Sequence, residues 1–528
     1  MLTGVPTVPR MPVAPSPRRR VWPWAAGSIL ITLAVIAATL VGHRLAAQHR
    51  LASEVAPAPA LPPLAVQAIA HAPGQITHLA LDAHTHTLVA QVTVCPSPGA
   101  TKPQTPQAAT CAVSGNAVSG LAFFDSVTGA LRGASLAPSA QPAQAIALTD
   151  GVHGVTYLLH GASVTIYNDA TGKHIGAYTS AFTADAQTIG LDGKLGLLYT
   201  VDARTALLSA YDGANGQLLM SAQLPPPSGS GVIAPEMRVD ASAGCIYVYN
   251  GNAMGPVLYG LNASDLAPLG SWGLPGRPDI GPLDSATHTL YLLNAPSSGF
   301  SQLDLSALPA DGAGERVNTA QTAQDVALNG SSRFGVDSAT GALAMMTNAG
   351  LEAFAANTVQ PYAQLPLVHA PPAGANDVTP WLLPVDSAAG LAYLPGDDNT
   401  ILIVSLAPPT GHAAPNALTA EVMARAGLAA LLPGTNQNPP FLSAQTFPVG
   451  AGQVRRDYFI HYSDLGWQGP YHGTASLGAV KAGATAGDYT MTFSVTWNQL
   501  FLRQHSWTVE VTPDGRTHLL ADSGDAIP

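Results

Sequence analysis

Along most of this chain, apolar residues alternate with polar ones or run together for only a few positions before Gly, Asp, Asn or Pro stops them. A period of two and short runs bounded by turn residues predict strands rather than helices. The pattern also recurs. Seven times an aspartate heads a short turn that leads into a strand, at Asp82, Asp150, Asp192, Asp240, Asp284, Asp337 and Asp386. The preceding residue is apolar in six copies and Thr149 in the seventh. Four residues on stands Gly154, Gly196, Gly244, Gly341 or Gly390, with His86 and His288 in the other two copies. Seven residues on stands Tyr157, Tyr199, Tyr247, Tyr291 or Tyr393, with Val89 and Ala344 completing the set.

Each position meets a physical demand. Glycine takes the positive φ of a tight hairpin, and an aspartate at the turn head accepts backbone amides two or three residues on. A structural role in the repeat turns is therefore expected for all seven aspartates. Neighbouring aspartates are separated by 68, 42, 48, 44, 53 and 49 residues, a spacing that points to a propeller or a solenoid. Several units carry a second turn, at Asp125 to Gly129, Asp169 to Gly172 and Asp212 to Gly216. Two hairpin turns per unit imply about four strands, which is one propeller blade.

The strands after the turns read Tyr199-Thr-Val-Asp202, Tyr247-Val-Tyr-Asn250, Tyr291-Leu-Leu-Asn294 and, more weakly, Met345-Met-Thr-Asn348. Over residues 73 to 409 the chain resembles the YVTN-type seven-bladed β-propeller repeats. Tyr393-Leu-Pro-Gly396 departs from the motif, and a Pro-, Ala- and Thr-rich insertion interrupts the first unit between Val94 and Val118. The resemblance implies a fold and no chemistry, because propellers of this kind serve as lactone hydrolases, surface-layer proteins and scaffolds.

Beyond the repeats the pattern changes. Residues 416 to 432 read as a helix capped by Asn416 and stopped by Pro433-Gly434. Alternation in Tyr489 to Trp497, and again in Trp507, Val509 and Val511, predicts an antiparallel sheet. Thr517 to Leu520 and Val454 to Tyr462 are its expected partners, with the helix as a cover. At the other end, Trp22 to Gly42 carries no charge, a length that spans a bilayer as a helix. Arg10, Arg18, Arg19 and Arg20 precede it, which places the N-terminus in the cytoplasm and the bulk of the chain outside. A cleaved signal peptide is the competing reading, with Leu45-Ala-Ala47 as the cleavage site. The expected organisation is a basic cytoplasmic tail over 1–21, a transmembrane signal anchor over 22–44 and an Ala/Pro-rich linker over 45–72. A propeller over 73–409 and a small α+β domain over 410–528 follow. The fold class is all-β: a seven-bladed β-propeller with an N-terminal transmembrane helix and a small C-terminal domain.

Of 528 residues, 47% are apolar and only 10% charged. Six of the 21 basic residues fall in the first fifty, leaving 15 against 32 acidic ones beyond. That balance argues against nucleic acid as a partner. Cys95 and Cys111 bracket the insertion and are candidates for a disulfide closing a loop of about 17 residues, worth about 3 kcal/mol; the alternative is two unpaired thiols. Cys245 precedes an apolar strand and reads as a small buried residue. His84 and His86 share a strand face, but two imidazoles are too few for a closed metal site. Trp467, Tyr471 and His472 mark an aromatic loop, read either as recognition or as packing. No phosphate loop, nucleophile elbow or zinc-protease helix is present, so no catalytic residue, metal or cofactor is expected. The expected function is a membrane-anchored extracytoplasmic module that binds or scaffolds an envelope protein or a small ligand. The alternative is a propeller enzyme, lactonase-like or quinoprotein-like, with its site at the central channel.

Overall fold

The structure is a computed structural model that describes residues 54–56, 61–94, 118–138, 145–180, 186–202, 205–225, 235–250, 256–274, 278–294, 299–306, 334–347, 350–355, 361–367, 382–396, 399–408, 414–431, 443–450, 453–461, 470–497 and 505–524. Seven consecutive antiparallel sheets are formed by these residues, six with four strands and one with three. Blade 1 runs Gln75–Asp82, Thr87–Val94, Val118–Asp125 and Leu131–Pro138 from the inside outward. The innermost strands of the next five blades are Ala145–Asp150, Ala186–Asp192, Glu236–Asp240, Asp279–Asp284 and Phe334–Asp337, each lying beside its neighbour. Blade 5 is the three-stranded one, Asp279–Asp284, Thr289–Asn294 and Gly299–Asp304.

Blade 7 closes the ring. Its inner strands are Val385–Asp386, Leu391–Pro395 and Thr400–Ser405, but its outermost strand is Val66–His71, from the start of the chain. Val66 pairs with Val404 and His71 with Thr400, so the first and last parts of the repeat region share one sheet. The ring of sheets is a β-propeller. Its core lies between blades. Tyr393 and Ile403 of blade 7 pack with Leu88 and Phe124 of blade 1, and Tyr199 and Leu208 of blade 3 pack with Ile246 and Val248 of blade 4.

The closing strand lies in the segment that the sequence reading gave to the linker, and so does Glu54–Ala56. That short strand adds to the edge of the C-terminal sheet beside Thr517–Gly524. The sheet continues through His505–Val511, Tyr489–Trp497, Pro470–Leu477, Gln453–His461 and Ser443–Gly450. Its buried face carries Met491, Phe493, Trp507, Val509 and Val511. On the opposite face Thr492 bonds Thr508 at 3.1 Å and Ser494 bonds Ser506 at 2.8 Å.

The helix Ala417–Leu431 packs on this sheet and on the closing strand of blade 7. It buries Ala420, Val422, Met423, Ala424 and Leu428. Asn416 does two things at its start: Oδ1 accepts the Thr419 amide at 2.9 Å, and Nδ2 donates to the Val66 carbonyl at 3.0 Å. The Thr419 hydroxyl accepts the Val66 amide at 2.9 Å, so the outward backbone groups of Val66 are both satisfied by the helix. Asn416→Ala is expected to cost about 2 kcal/mol, since cap and tether go together; urea unfolding of the two proteins measures it.

The expected anchor, residues 22–44, lies outside the described residues, as do Cys95, Cys111 and Trp467. Among the described residues no helix is long and apolar enough to cross a membrane.

Candidate functional site: the turn ring

The seven turns lie at one end of the propeller, and their aspartates are buried to within 1% exposure. Oδ1 accepts the amide two residues on in every copy, and the amide three residues on as well in all but Asp284 and Asp337. It accepts the amides of His84 and Thr85 at Asp82 (2.9 and 3.1 Å) and those of Lys194 and Leu195 at Asp192 (2.9 and 3.1 Å). At Asp386 it accepts those of Ala388 and Ala389 (3.0 and 3.1 Å). The fourth turn residue is left-handed: φ is 63 to 72° at Gly154, Gly196, Gly244, Gly341 and Gly390, and 50 and 53° at His86 and His288.

Oδ2 distinguishes the copies. Where the third turn residue is threonine, its hydroxyl donates back, as in Thr85 to Asp82, Thr287 to Asp284 at 2.7 Å and Thr340 to Asp337 at 2.6 Å. In blade 2 the third residue is His153, whose Nδ1 lies 2.8 Å from Asp150. Blades 4 and 7 have alanine there, Ala243 and Ala389, and the next blade reaches across instead. His288 Nδ1 lies 2.9 Å from Asp240, and His86 Nδ1 stands 3.6 Å from Asp386. The two histidines that replace glycine are thus blade-to-blade links. Their sequence signal was the alanine in the preceding copy. Burial raises the Asp240 carboxyl, but bonds from Ser242, His288 and Ala243 outweigh it and hold the group below its ordinary range.

Asp192 has Leu195 at its third position and Gly244 in the next blade, and its buried Oδ2 has no hydrogen-bond partner; that of Asp386 has none either, since His86 stands beyond hydrogen-bond distance. A Cβ on Gly244 would meet nothing within 4 Å. Gly244→His is therefore expected to stabilise the protein by about 1 kcal/mol, a charged hydrogen bond offset by the strain of a side chain at positive φ. His288→Ala is expected to lose about 1 kcal/mol; thermal melts of both variants read the opposite signs.

Neighbouring turns also touch directly. The one polar predecessor, Thr149, donates to the Leu81 carbonyl of blade 1 at 2.8 Å, and Ser242 donates to the Ser285 carbonyl of blade 5 at 3.0 Å. In blade 2 the second turn is headed by Asn168 rather than Asp169: Asn168 accepts the Thr171 amide at 3.1 Å and the Gly172 amide closes on its carbonyl. Asp169 turns inward, fully buried, with Oδ1 accepting the Thr156 hydroxyl at 2.6 Å. Burial, then the carboxylates of Asp82 and Asp150, push its carboxyl up from 3.8 to about 7 against the pull of that hydroxyl.

A buried cation stands on the inner wall. Arg238 donates from Nε to the Gly281 carbonyl at 2.9 Å, from Nη1 to its own Met237 carbonyl at 2.8 Å and from Nη2 to the Ile280 carbonyl. Glu236 lies 3.7 Å away. The Ile280 and Gly281 carbonyls belong to a register shift between Ile280 and Leu283, in which Pro282 has no amide to offer the ladder. Among the described residues no three His, Cys, Asp or Glu side chains are grouped to hold a metal ion. His86 faces Asp386 rather than a shared site with His84.

No family model matches the chain, and no curated protein matches it. Among solved structures it is similar to Raptor from Chaetomium thermophilum, at 12% identity and a TM-score of 0.45, over 65% of this chain and 29% of that one. It is also similar to the β-propeller domain of Cps50 (Swd1) from Myceliophteria thermophila, at 11% and 0.45, over 65% and 99%. A third is BamB from Moraxella catarrhalis, at 14% and 0.35, over 65% and 99%. The assignment as a propeller rests on the ring of sheets itself.

Proposed function

We propose that this chain is a membrane-anchored, extracytoplasmic β-propeller that binds or scaffolds a protein of the cell envelope through the face opposite the turn ring. One observation carries the reading: the turn-ring end is committed to the frame, while the other end takes connections of very unequal span. Strand direction puts the second-to-third and fourth-to-first connections there. In blade 1 the former runs from Val94 to Val118, and in blade 2 only from His160 to Ser163. Variable connections on a rigid frame are where recognition is built. The uncharged stretch Trp22 to Gly42 supports the anchor, and the acidic balance beyond residue 50 supports a protein or small-molecule partner over nucleic acid.

Crosslinking of the full chain in intact cells, followed by native mass spectrometry, tests this. A stoichiometric envelope protein, lost when residues 96–116 are replaced by a Gly/Ser linker while the melt is unchanged, supports the reading. A stoichiometric metal or organic cofactor with no protein overturns it in favour of a propeller enzyme. Recovery of the chain in the soluble fraction overturns the anchor.

A further inference from the structure

The turn ring repeats one arrangement seven times, and the repeat itself shows which group each aspartate takes. In blades 1, 2, 5 and 6 the third turn residue serves Oδ2 with a hydroxyl or an imidazole, from Thr85, His153, Thr287 and Thr340. For Asp240 and Asp386 an imidazole comes from the next blade, His288 at 2.9 Å and His86 at 3.6 Å. Asp192 lies between the Asp150–His153 and Asp240–His288 pairs. Leu195 stands at its third position and Gly244 at the fourth position of the next blade, so neither route brings it a polar side chain.

The frame around Asp192 matches the frame around Asp240. Oδ1 of Asp192 accepts the Lys194 and Leu195 amides at 2.9 and 3.1 Å, as that of Asp240 accepts Ser242 and Ala243 at 3.0 and 3.1 Å, so Oδ2 is turned the same way. Gly244 has a φ of 65° against 53° at His288, and their carbonyls accept equivalent amides, Ala263 and Leu305, each at 2.8 Å. Ala263 is in turn held to blade 3, since its carbonyl accepts the Tyr199 hydroxyl at 2.9 Å. Gly244 therefore stands against Asp192 as His288 stands against Asp240, without the side chain. A Cβ there would meet nothing within 4 Å, so the place that an imidazole takes in blade 5 is open space in blade 4. Asp192 is 1% exposed, and its Oδ2 has no partner among the described residues. Lys194 is exposed and does not reach it. A buried carboxylate oxygen without a donor is destabilising, and a charged N–H donor makes the strongest bond to it.

We propose that the notch between Asp192 and Gly244 binds an imidazolium group supplied from outside the chain, which donates an N–H to Asp192 Oδ2 and packs its carbon edge against Leu195. The chain's own repeat specifies the ligand, because His288 makes this bond to Asp240 at 2.9 Å on the same backbone frame. Oδ2 is covered, so the Leu195 side chain, 44% exposed, turns aside to admit the ring. The notch lies on the turn-ring end and is independent of the opposite face proposed above to hold an envelope protein.

Thermal melts of the full-length protein with imidazole, at about pH 6 where the free base carries its proton, test the site. At roughly thirty times a Kd on the order of 1 mM, the melting temperature is expected to rise by about 2 °C. Two variants serve Oδ2 from within. Leu195→Thr places a hydroxyl where Thr85, Thr287 and Thr340 have theirs, and Gly244→His places the imidazole itself. Neither is expected to respond to imidazole. No rise in the unaltered protein overturns the proposal, and so does a rise of equal size in Leu195→Thr. N-acetylhistidinamide separates two sources of the group: a rise with both compounds assigns the notch to a histidine of another protein, and a rise with imidazole alone assigns it to a free small base. If neither variant folds, nuclear Overhauser contacts decide in the unaltered protein: contacts between the imidazole ring protons and the Leu195 methyls support the site, and their absence overturns it.

Discussion

A chain cut to begin at residue 73 is expected to lose cooperative folding, whereas one that begins at residue 54 keeps it. The cut falls just after the strand Val66–His71, whose partner Thr400–Ser405 lies more than three hundred residues on. Leu64 and Val66 are buried to within 1% exposure, and Ala70 and Ala72 belong to the core shared by blades 7 and 1. Two large aliphatic side chains at about 2 kcal/mol each, with a lost ladder of hydrogen bonds at about 1 kcal/mol apiece, come to about 8 kcal/mol, within the whole stability of an ordinary domain. The loss is also topological, because Ile401 and Ile403 would be left on an open edge strand. Far-UV circular dichroism melts of residues 54–528 and 73–528 measure it. A sharp transition in the shorter chain within a few degrees of the longer would show that the ring does not depend on its closing strand.

That strand shows where local pattern stops being informative. Asp82, Gly154 and Tyr199 were legible because each occupies a position with a steric or hydrogen-bonding demand that recurs within its own unit. The helix start at Asn416 was legible for the same reason: cap and first turn are neighbours in sequence. Val66–His71 is short, follows a Pro-rich stretch and is defined by a partner at the far end of the chain, and Glu54–Ala56 pairs across an even longer interval. Asp169 was misplaced because Asn168 and Asp169 are both plausible turn heads, and only packing turns the second one inward. His86 and His288 were visible as exceptions to glycine, but their purpose depends on a neighbouring blade that lacks a donor of its own.

Arg238→Met is expected to destabilise the protein by about 3–5 kcal/mol, the range for breaking a buried ion pair from one side. Burial draws the guanidinium below its ordinary value and the Glu236 carboxylate opposes that, so the substitution removes a favourable charge from beside a largely buried carboxylate. The substitution also leaves the Ile280 and Gly281 carbonyls without their donor at the register shift around Pro282. The pairing makes a second expectation. Glu236→Gln with Arg238→Met should recover part of the loss, because a buried negative charge is removed while the two carbonyls still lack a donor. Urea unfolding of the single and double variants at neutral pH gives both numbers, and a single variant within 1 kcal/mol of the parent would show that the wall does not need the cation. An arginine that clamps a ligand presents its donors to the channel, whereas here Nε, Nη1 and Nη2 each end on a backbone carbonyl of the wall. The stability loss should therefore come without loss of partner binding by the fraction that remains folded, which would separate the frame from the face proposed to bind.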